Sequence, residues 1–519
     1  MTARSGAAAW LPLVAAIAWL AASGWIRPLM LPDEGRYVGV AWEMLRSGQW
    51  LTPTLDALPY FHKPPLFYWL TAASLALFGM NEWAGRLASL LGAAAGAVAL
   101  FVFARHWGGP RTASLALVAL VTQPLVYFAA QFANLDMLVA GCIGVSILAF
   151  AHAALLDPAA ASRRPALLLA YGFAALAVLA KGLIGLVLPG MVLLAWLLLL
   201  GRPRALTRLL WLPGIVLFLA VAGPWFVAMQ LRYDQFAHYF VVVQHFSRFS
   251  GTGFNNAQPW WFFPALLALL ALPWSAWLAW AARAAYWSDP VRGPVRKLMW
   301  LWLLLVTLFF SLPQSKLAGY ILPATLPLAF LAGDAADVLW LRARRWWQLS
   351  AALGAAACLA AIGVVASHPQ NSTRELARLL ASRMAPGDPV IFLQEYYFDV
   401  AFYARLRDPV LVVDDWADPE VAQRDNWHRE LSDAGRFAPA TAQRVLLLPE
   451  AGLEIACAAA TSWLLGPMTL VRRYPLLEGL PIVHTSGGTA LWQLRGRPAG
   501  ALNSAACQGK PSVSQEGRS

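Results

Sequence analysis

Apolar residues run along this chain in long blocks, neither alternating nor confined to one-sided stripes. The blocks near 9–31, 86–105, 112–131, 136–156, 165–181, 182–201, 209–230, 259–284, 297–313, 317–339 and 346–367 reach or approach the ~20 residues that carry a helix across a bilayer. They predict a polytopic α-helical membrane protein with about eleven spans, or up to about thirteen if shorter runs also cross. One further run, PPLFYWLTAASLALFGM at 64–80, is short and opens on Pro-Pro. It reads as an amphipathic helix lying in the outer interface, with Tyr68 and Trp69 at headgroup level. From about residue 368 the pattern changes: charges become frequent, and the β-rich runs PVIFL (389–393), PVLVV (409–413) and RVLLL (444–448) alternate with helical stretches such as STRELARLLASRM. Strand and helix in alternation predict a small α/β domain. The expected division is a membrane domain at 1–368, an α/β domain at 369–498 and a disordered tail at 499–519, small and polar in composition.

Composition agrees with this reading. The 519 residues are 59% hydrophobic and 13% charged, against roughly a quarter charged in soluble domains, which excludes an ordinary soluble enzyme. The net charge of +12 does not point to nucleic acid, because the arginines cluster in short loops between apolar runs, where the positive-inside rule puts them. With 64–80 kept out of the membrane, Arg4, Arg105, Arg111, Arg163, Arg164, Arg202, Arg204, Arg208, Arg283, Arg292, Arg296, Lys297, Arg342, Arg344 and Arg345 all become cytoplasmic. Asp33, Asp136, Lys181, His245 and Lys316 then share the outer face with the α/β domain. The first apolar run is too long for a cleaved signal and reads as a span. Four cysteines make no disulfide framework. Cys142 and Cys358 lie in apolar runs, and Cys457 and Cys507 pair only if their domain is in an oxidising compartment.

The outer loops carry the candidate chemistry. Asp33, Glu34, Arg36, Glu43, Asp56, His62 and Lys63 crowd the first loop. Glu43 and Asp56 read as solvated charges, whereas Pro32 before the acids and Pro64-Pro65 after Lys63 fix the backbone where Asp33 and Lys63 emerge. Asp136 in FANLDML follows Asn134 and is either a helix cap or a functional carboxylate. Lys181 lies between two apolar runs, where snorkelling is the plain reading. His245 and Arg248 in QHFSRF, and Lys316 and Tyr320 in SKLAGY, have spacings that put each pair on one helix face. Carboxylates and cations beside a large apolar interior suit a phosphate-bearing lipid. Cations bind the phosphate and stabilise it as a leaving group, while a carboxylate orients or deprotonates the acceptor.

PDEGRY (32–37), LPYFHKPPLFYW (58–69), AKGLIGLVLPG (180–190), HFSRF, QPWWFFP (258–264) and SKLAGYILP (315–323) together resemble the bacterial transferases that move 4-amino-4-deoxy-L-arabinose from undecaprenyl phosphate to lipid A. Those enzymes are related to the protein O-mannosyltransferases among the C-type membrane glycosyltransferases. The resemblance covers roughly 30–330. It implies interface-lying helices in the first outer loop, a periplasm-facing active site on the bacterial inner membrane, an undecaprenyl-phosphate-linked sugar donor, and lipid A or another envelope acceptor. By position, Asp33 and Asp136 would be the catalytic acids, Lys63, Arg248 and Arg36 would hold the donor phosphate, and Glu34, Tyr60, Lys181, Lys316 and Tyr320 would line the cavity. Two positions depart from the pattern, His62 and Gln244, where the family usually has Glu. With His245, His62 would still make a nitrogen-rich pair suited to zinc. A protein O-glycosyltransferase is the rival within the class, and a lipid-linked sugar transporter or flippase is the rival outside it.

Overall fold

The computed structural model describes residues 9–247, 256–368, 372–422 and 425–495. Two compact units emerge. One comprises the chain up to Arg27 together with Phe61–Ser367, and the other comprises Pro28–Tyr60 together with the chain from His368 onward.

The first unit is helical. Among the described residues seven helices are long and apolar enough to cross a membrane: Glu82–Trp107, Leu135–Leu155, Arg163–Lys181, Leu212–Arg232, Gly293–Ser311, Ala318–Val338 and Trp340–Ser367. The count reaches nine if two bent pairs are single spans. The runs read as continuous at 112–131 and 259–284 are in fact broken, into Pro110–Val121 plus Pro124–Ala130, bent by 70°, and Phe262–Leu270 plus Trp274–Trp280, bent by 101°. Pro124 and Pro273 stand at the breaks, and a proline both lacks the backbone donor and turns the preceding residue away from the helical region. The two breaks meet: Trp274 Nε1 donates to Thr122 Oγ1 at 3.1 Å. Leu11–Ala21, Leu66–Phe78 and Ile184–Leu199 are shorter apolar helices. In Leu66–Phe78 the ring of Tyr68 is fully buried, so it belongs to the protein interior and not to the headgroup layer expected for it.

Close helix contact is made by small residues. Gly92 of Glu82–Trp107 and Gly141 of Leu135–Leu155 face one another with no room for a Cβ on either, as membrane helices use small residues to approach. Two arginines assigned above to loop topology have a second role. Arg296, 3% exposed, donates from Nε to Asp334 at 2.7 Å, and Arg292 reaches both Asp334 and Asp337 at 3.0 Å. A buried carboxylate needs such partners to remain charged, and these pairs tie Gly293–Ser311 to Thr325–Val338.

The second unit is a six-stranded sheet with helices. Its strands, in chain order after the hairpin β1 (Thr54–Leu55) and β2 (Leu58–Pro59), are β3 (Val390–Leu393), β4 (Leu411–Val413), β5 (Leu446–Leu447), β6 (Thr461–Pro467), β7 (Ile482–Ser486) and β8 (Thr489–Arg495). The sheet order is β5-β4-β3-β6-β8-β7. The first four neighbours are parallel, and β8 pairs antiparallel with both β6 and β7. Ile391, Leu393, Val413, Leu464, Trp492 and Leu494 fill one face of it. Strands β3 to β5 fall on the three β-rich runs read from the sequence. Cys457 is disulfide-bonded, Cys142 and Cys358 are free and buried, and Cys507 lies outside the described residues.

The first outer loop folds as part of this second unit. Helix Asp33–Ser47 carries Gly35 and Gly39 one turn apart. A Cβ on Gly35 would meet Asp399 N at 2.9 Å and Phe398 C at 3.0 Å, and one on Gly39 would meet Phe398 O at 3.2 Å. Glu43 and Asp56, expected to be solvated, are buried at 5% and 2% exposure. The Glu43 carboxylate accepts from Asp56 N at 2.6 Å, Ala57 N at 3.0 Å and Thr54 Oγ1 at 2.8 Å. It thereby caps a hairpin turn whose two central residues, Asp56 and Ala57, both have φ near +60°, as a type I′ turn requires. Asp56 in turn accepts from Val410 N at 2.9 Å.

Candidate active site

The candidate residues divide between the units. Asp33, Glu34, Arg36 and Tyr60 belong to the second, and His62, Lys63, Asp136, Lys181, His245, Lys316 and Tyr320 to the first. Arg248 lies outside the described residues, and His245 is described only as part of the π-helical segment His238–Ser247.

In the second unit, Asp33 opens helix Asp33–Ser47, where the helix dipole favours a carboxylate. Its side chain is about one-third exposed and lies 3.8 Å from Arg36 Nη1. Arg36 is the hub: Nη1 lies 3.0 Å from Glu430, and the guanidinium sits over the Phe398 ring at 4.9 Å. Tyr60 OH donates to the same Glu430 carboxylate at 3.2 Å. Glu34 is fully buried and accepts from Met30 N at 2.9 Å, so it braces the chain entering the helix. Glu430 and Phe398 were not legible as site residues. They lie hundreds of positions from Arg36, and no local pattern distinguishes them; only the N-cap of Trp427–Arg436, where the Asn426 side chain accepts from His428 N, marks the helix that carries Glu430.

In the first unit, Asn134 is the N-cap of Leu135–Leu155, its side chain accepting from Asp136 N at 2.9 Å. Asp136 is therefore not the cap. Its carboxylate forms an ion pair with Lys181 Nζ, with side chains 10% and 15% exposed. The snorkelling reading of Lys181 gives way to this pair. Lys181 Nζ also lies 4.1 Å from the centre of the Tyr320 ring, a cation–π distance. Gly319 presses on the Asp136 carboxylate and leaves no room for a Cβ. Lys316 and Tyr320 do not share a helix face as their spacing suggested. Lys316 follows an antiparallel bridge between Ala257 and Ser315, whereas Tyr320 lies in the 3-10 turn Ala318–Ala324. Lys316 is 4% exposed, donates from Nζ to Gln258 O at 2.7 Å, and has its amine pulled below the ordinary lysine range by burial.

The two departures from the family pattern meet on one side chain. The His62 ring lies 5.9 Å from that of Tyr239, and Gln244 Nε2 donates to Tyr239 OH at 2.9 Å. His62 and Lys63 are both partly buried. Among the described residues no group of three or more His, Cys, Asp or Glu side chains gathers to hold a metal ion.

A carboxylate–lysine pair beneath an aromatic ring, and an arginine held between two carboxylates, are groups that bind phosphate and sugar hydroxyls. Comparison with known proteins narrows this chemistry. A family model described as dolichyl-phosphate-mannose-protein mannosyltransferase matches residues 62–228. An undecaprenyl phosphate-α-4-amino-4-deoxy-L-arabinose arabinosyl transferase of Pseudomonas paraeruginosa is 37% identical over 346 residues, covering 64% of this chain and 61% of that protein. One of Aeromonas hydrophila is 32% identical over 352 residues, covering 67% and 64%. The crystal structure of ArnT from Cupriavidus metallidurans bound to undecaprenyl phosphate matches with a TM-score of 0.80 at 25% identity, over 93% of this chain and 97% of that one. The chain is a homologue of these arabinosyl transferases. It has the arabinosyl transferase fold, a C-type glycosyltransferase architecture of apolar helices with a C-terminal sheet domain. The chain spans about three-fifths of the length of the curated arabinosyl transferases it matches. The archaeal oligosaccharyltransferase AglB from Archaeoglobus fulgidus, at TM-score 0.52 and 12% identity over 89% of this chain and 69% of that one, shares the fold alone.

Proposed function

We propose that this protein is a polyprenyl-phosphate-dependent glycosyltransferase of the bacterial inner membrane. It moves 4-amino-4-deoxy-L-arabinose or a related sugar from undecaprenyl phosphate to lipid A or another envelope acceptor, on the periplasmic face. The observation that carries this reading is the match along 93% of the chain to an ArnT structure holding undecaprenyl phosphate, together with the paired Asp136 and Lys181 that the chain brings to the mouths of two apolar helices. The arginine-rich loops on the opposite side support the orientation.

The transfer follows from the side chains. The bond between sugar C1 and the donor phosphate oxygen breaks, and undecaprenyl phosphate leaves with the electron pair. Lys63, Arg36 and Arg248 are the cations proposed to stabilise that charge. An acceptor phosphate is already an anion and attacks C1 without a base, so Asp33 orients the sugar. An acceptor hydroxyl needs Asp33 as base. Asp136 and Lys181 fix each other beneath the Tyr320 ring, while Tyr60 and Glu34 brace the helix that carries Asp33 and Arg36 and Lys316 holds the Gln258 carbonyl. A zinc ion at His62 and His245 would have two protein ligands, fewer than the three or four of protein zinc sites. No step of the transfer needs it, and full turnover by metal-free protein would remove it from the account.

The mannosyltransferase family match at 62–228 supports one rival, transfer to a protein hydroxyl. Mass spectrometry of lipid A from cells with and without the protein decides between them. A sugar-sized addition that depends on the protein supports the lipid A reading. Unmodified lipid A with glycosylated envelope proteins supports the rival.

A further inference from the structure

The second unit carries a group of chemistry-bearing side chains that the proposed transfer does not use. From β3 the chain proceeds to β4 and β5 on one side and then returns to β6 on the other side of β3. Open parallel sheets bind ligands outside the carboxyl ends of their strands at such a reversal. The residue at that end of β3, Gln394, has φ +52° although it is not glycine. Backbone of this kind persists where its surroundings hold it, and it gathers at functional sites. With its amide oxygen turned toward Arg473, Gln394 accepts from that guanidinium at 2.8 Å. Beside it, Glu395 is partly buried, and burial raises its carboxyl above the ordinary range.

Asp414, which follows β4, pairs with His428 Nε2 at 2.6 Å, with side chains only 13% and 15% exposed. The other ring nitrogen, His428 Nδ1, is buried with no hydrogen-bond partner among the described residues, and a buried polar atom left unsatisfied calls for a reason. Trp427 stacks on the imidazole with ring centres 3.5 Å apart, and Trp416 stands edge-on to Trp427 at 6.0 Å. Both indoles are partly exposed.

We propose that this edge, made of Gln394, Glu395, Asp414, Trp416, Trp427 and His428, binds a saccharide ring. Flat indoles suit the C–H face of a sugar, while carboxylate and amide groups meet its hydroxyls or an amine and the His428 imidazole holds Asp414 in place, the pairing of apolar walls with a few placed polar groups that small-molecule sites use. An anionic ligand is disfavoured, because Glu395, Asp414 and the exposed Asp415 outnumber Arg473 here. The inference does not depend on the transfer reaction.

The test uses the full-length protein in detergent, with glucosamine disaccharide as probe and saturation-transfer NMR as the readout. Saturation should pass to the ring protons of the disaccharide, and Trp427→Ala and Glu395→Gln should each weaken binding at least tenfold with unfolding temperatures unchanged. Asp33→Asn, expected to lose transfer, should bind the probe as wild type does. No binding by wild-type protein, undiminished binding in both variants, or displacement of the probe by inorganic phosphate overturns the proposal.

Discussion

Among the described residues, buried Asp136 and Asp334 are held in ion pairs with Lys181 and Arg296, and such a pair predicts how its removal is felt. Lys181→Met leaves the Asp136 carboxylate without its cation at 10% exposure, which costs about 3–5 kcal/mol by the usual penalty for an uncompensated buried charge. Thermal unfolding in detergent should show that loss, and the double variant Asp136→Asn with Lys181→Met should recover most of it; no recovery would mean that the two residues are not coupled. Gly319→Ala pushes a methyl group into the same carboxylate, so transfer should fall more than tenfold while expression persists. For Glu43, burial raises the carboxyl; for Asp56, burial first and the Glu43 charge second raise it well above its ordinary value. The folded chain therefore holds protons that the unfolded chain releases from about pH 4 upward. Stability from these groups is present at the acid end of the window and is lost as pH rises toward the raised values. Unfolding temperature should therefore rise as pH is lowered toward about 4, with a smaller rise in Asp56→Asn, and an equal rise in both would contradict the assignment. A sequence reading treats such acids as solvated, because the amides that bury Glu43 belong to a hairpin turn and the amide on Asp56 to Val410, hundreds of residues away.

Elements were legible where one local rule governed them. Strands β3, β4 and β5 are short apolar runs introduced by proline or arginine, and the membrane helices are apolar blocks of bilayer length. Strands β6 to β8 escaped because Thr461–Pro467 ends in Gly-Pro and the β7–β8 hairpin turns on two glycines, and their pairing partners set them more than their own composition does. The prolines at 124 and 273 were visible, but the bends of 70° and 101° depend on what packs at the breaks. Helix Asp33–Ser47 makes the same point. Its acids were readable as chemistry, yet Gly35 and Gly39 were not readable as contacts, because the partner is the backbone at Phe398 and Asp399. Gly35→Ala should cost about 1–3 kcal/mol as an overpacking change and reduce transfer without touching Asp33; unchanged stability would show that the helix shifts freely.

Across the whole molecule, the candidate residues fall in two compact units, the Asp33 group in one and the Asp136 group in the other. Motif order along the sequence pointed to most of these residues, whereas Glu430 and Tyr239 became visible only when the chain folded. The central claim is that the protein transfers sugar chemically and does not merely carry a lipid-linked sugar across the membrane. It is tested most directly by supplying purified wild-type protein and Asp33→Asn with undecaprenyl-phosphate-linked aminoarabinose and lipid A, and measuring the release of undecaprenyl phosphate. The account predicts release matched by glycosylated lipid A with wild type and at least a hundredfold less with Asp33→Asn. Intact donor with active wild-type protein, or equal release by the variant, would contradict it.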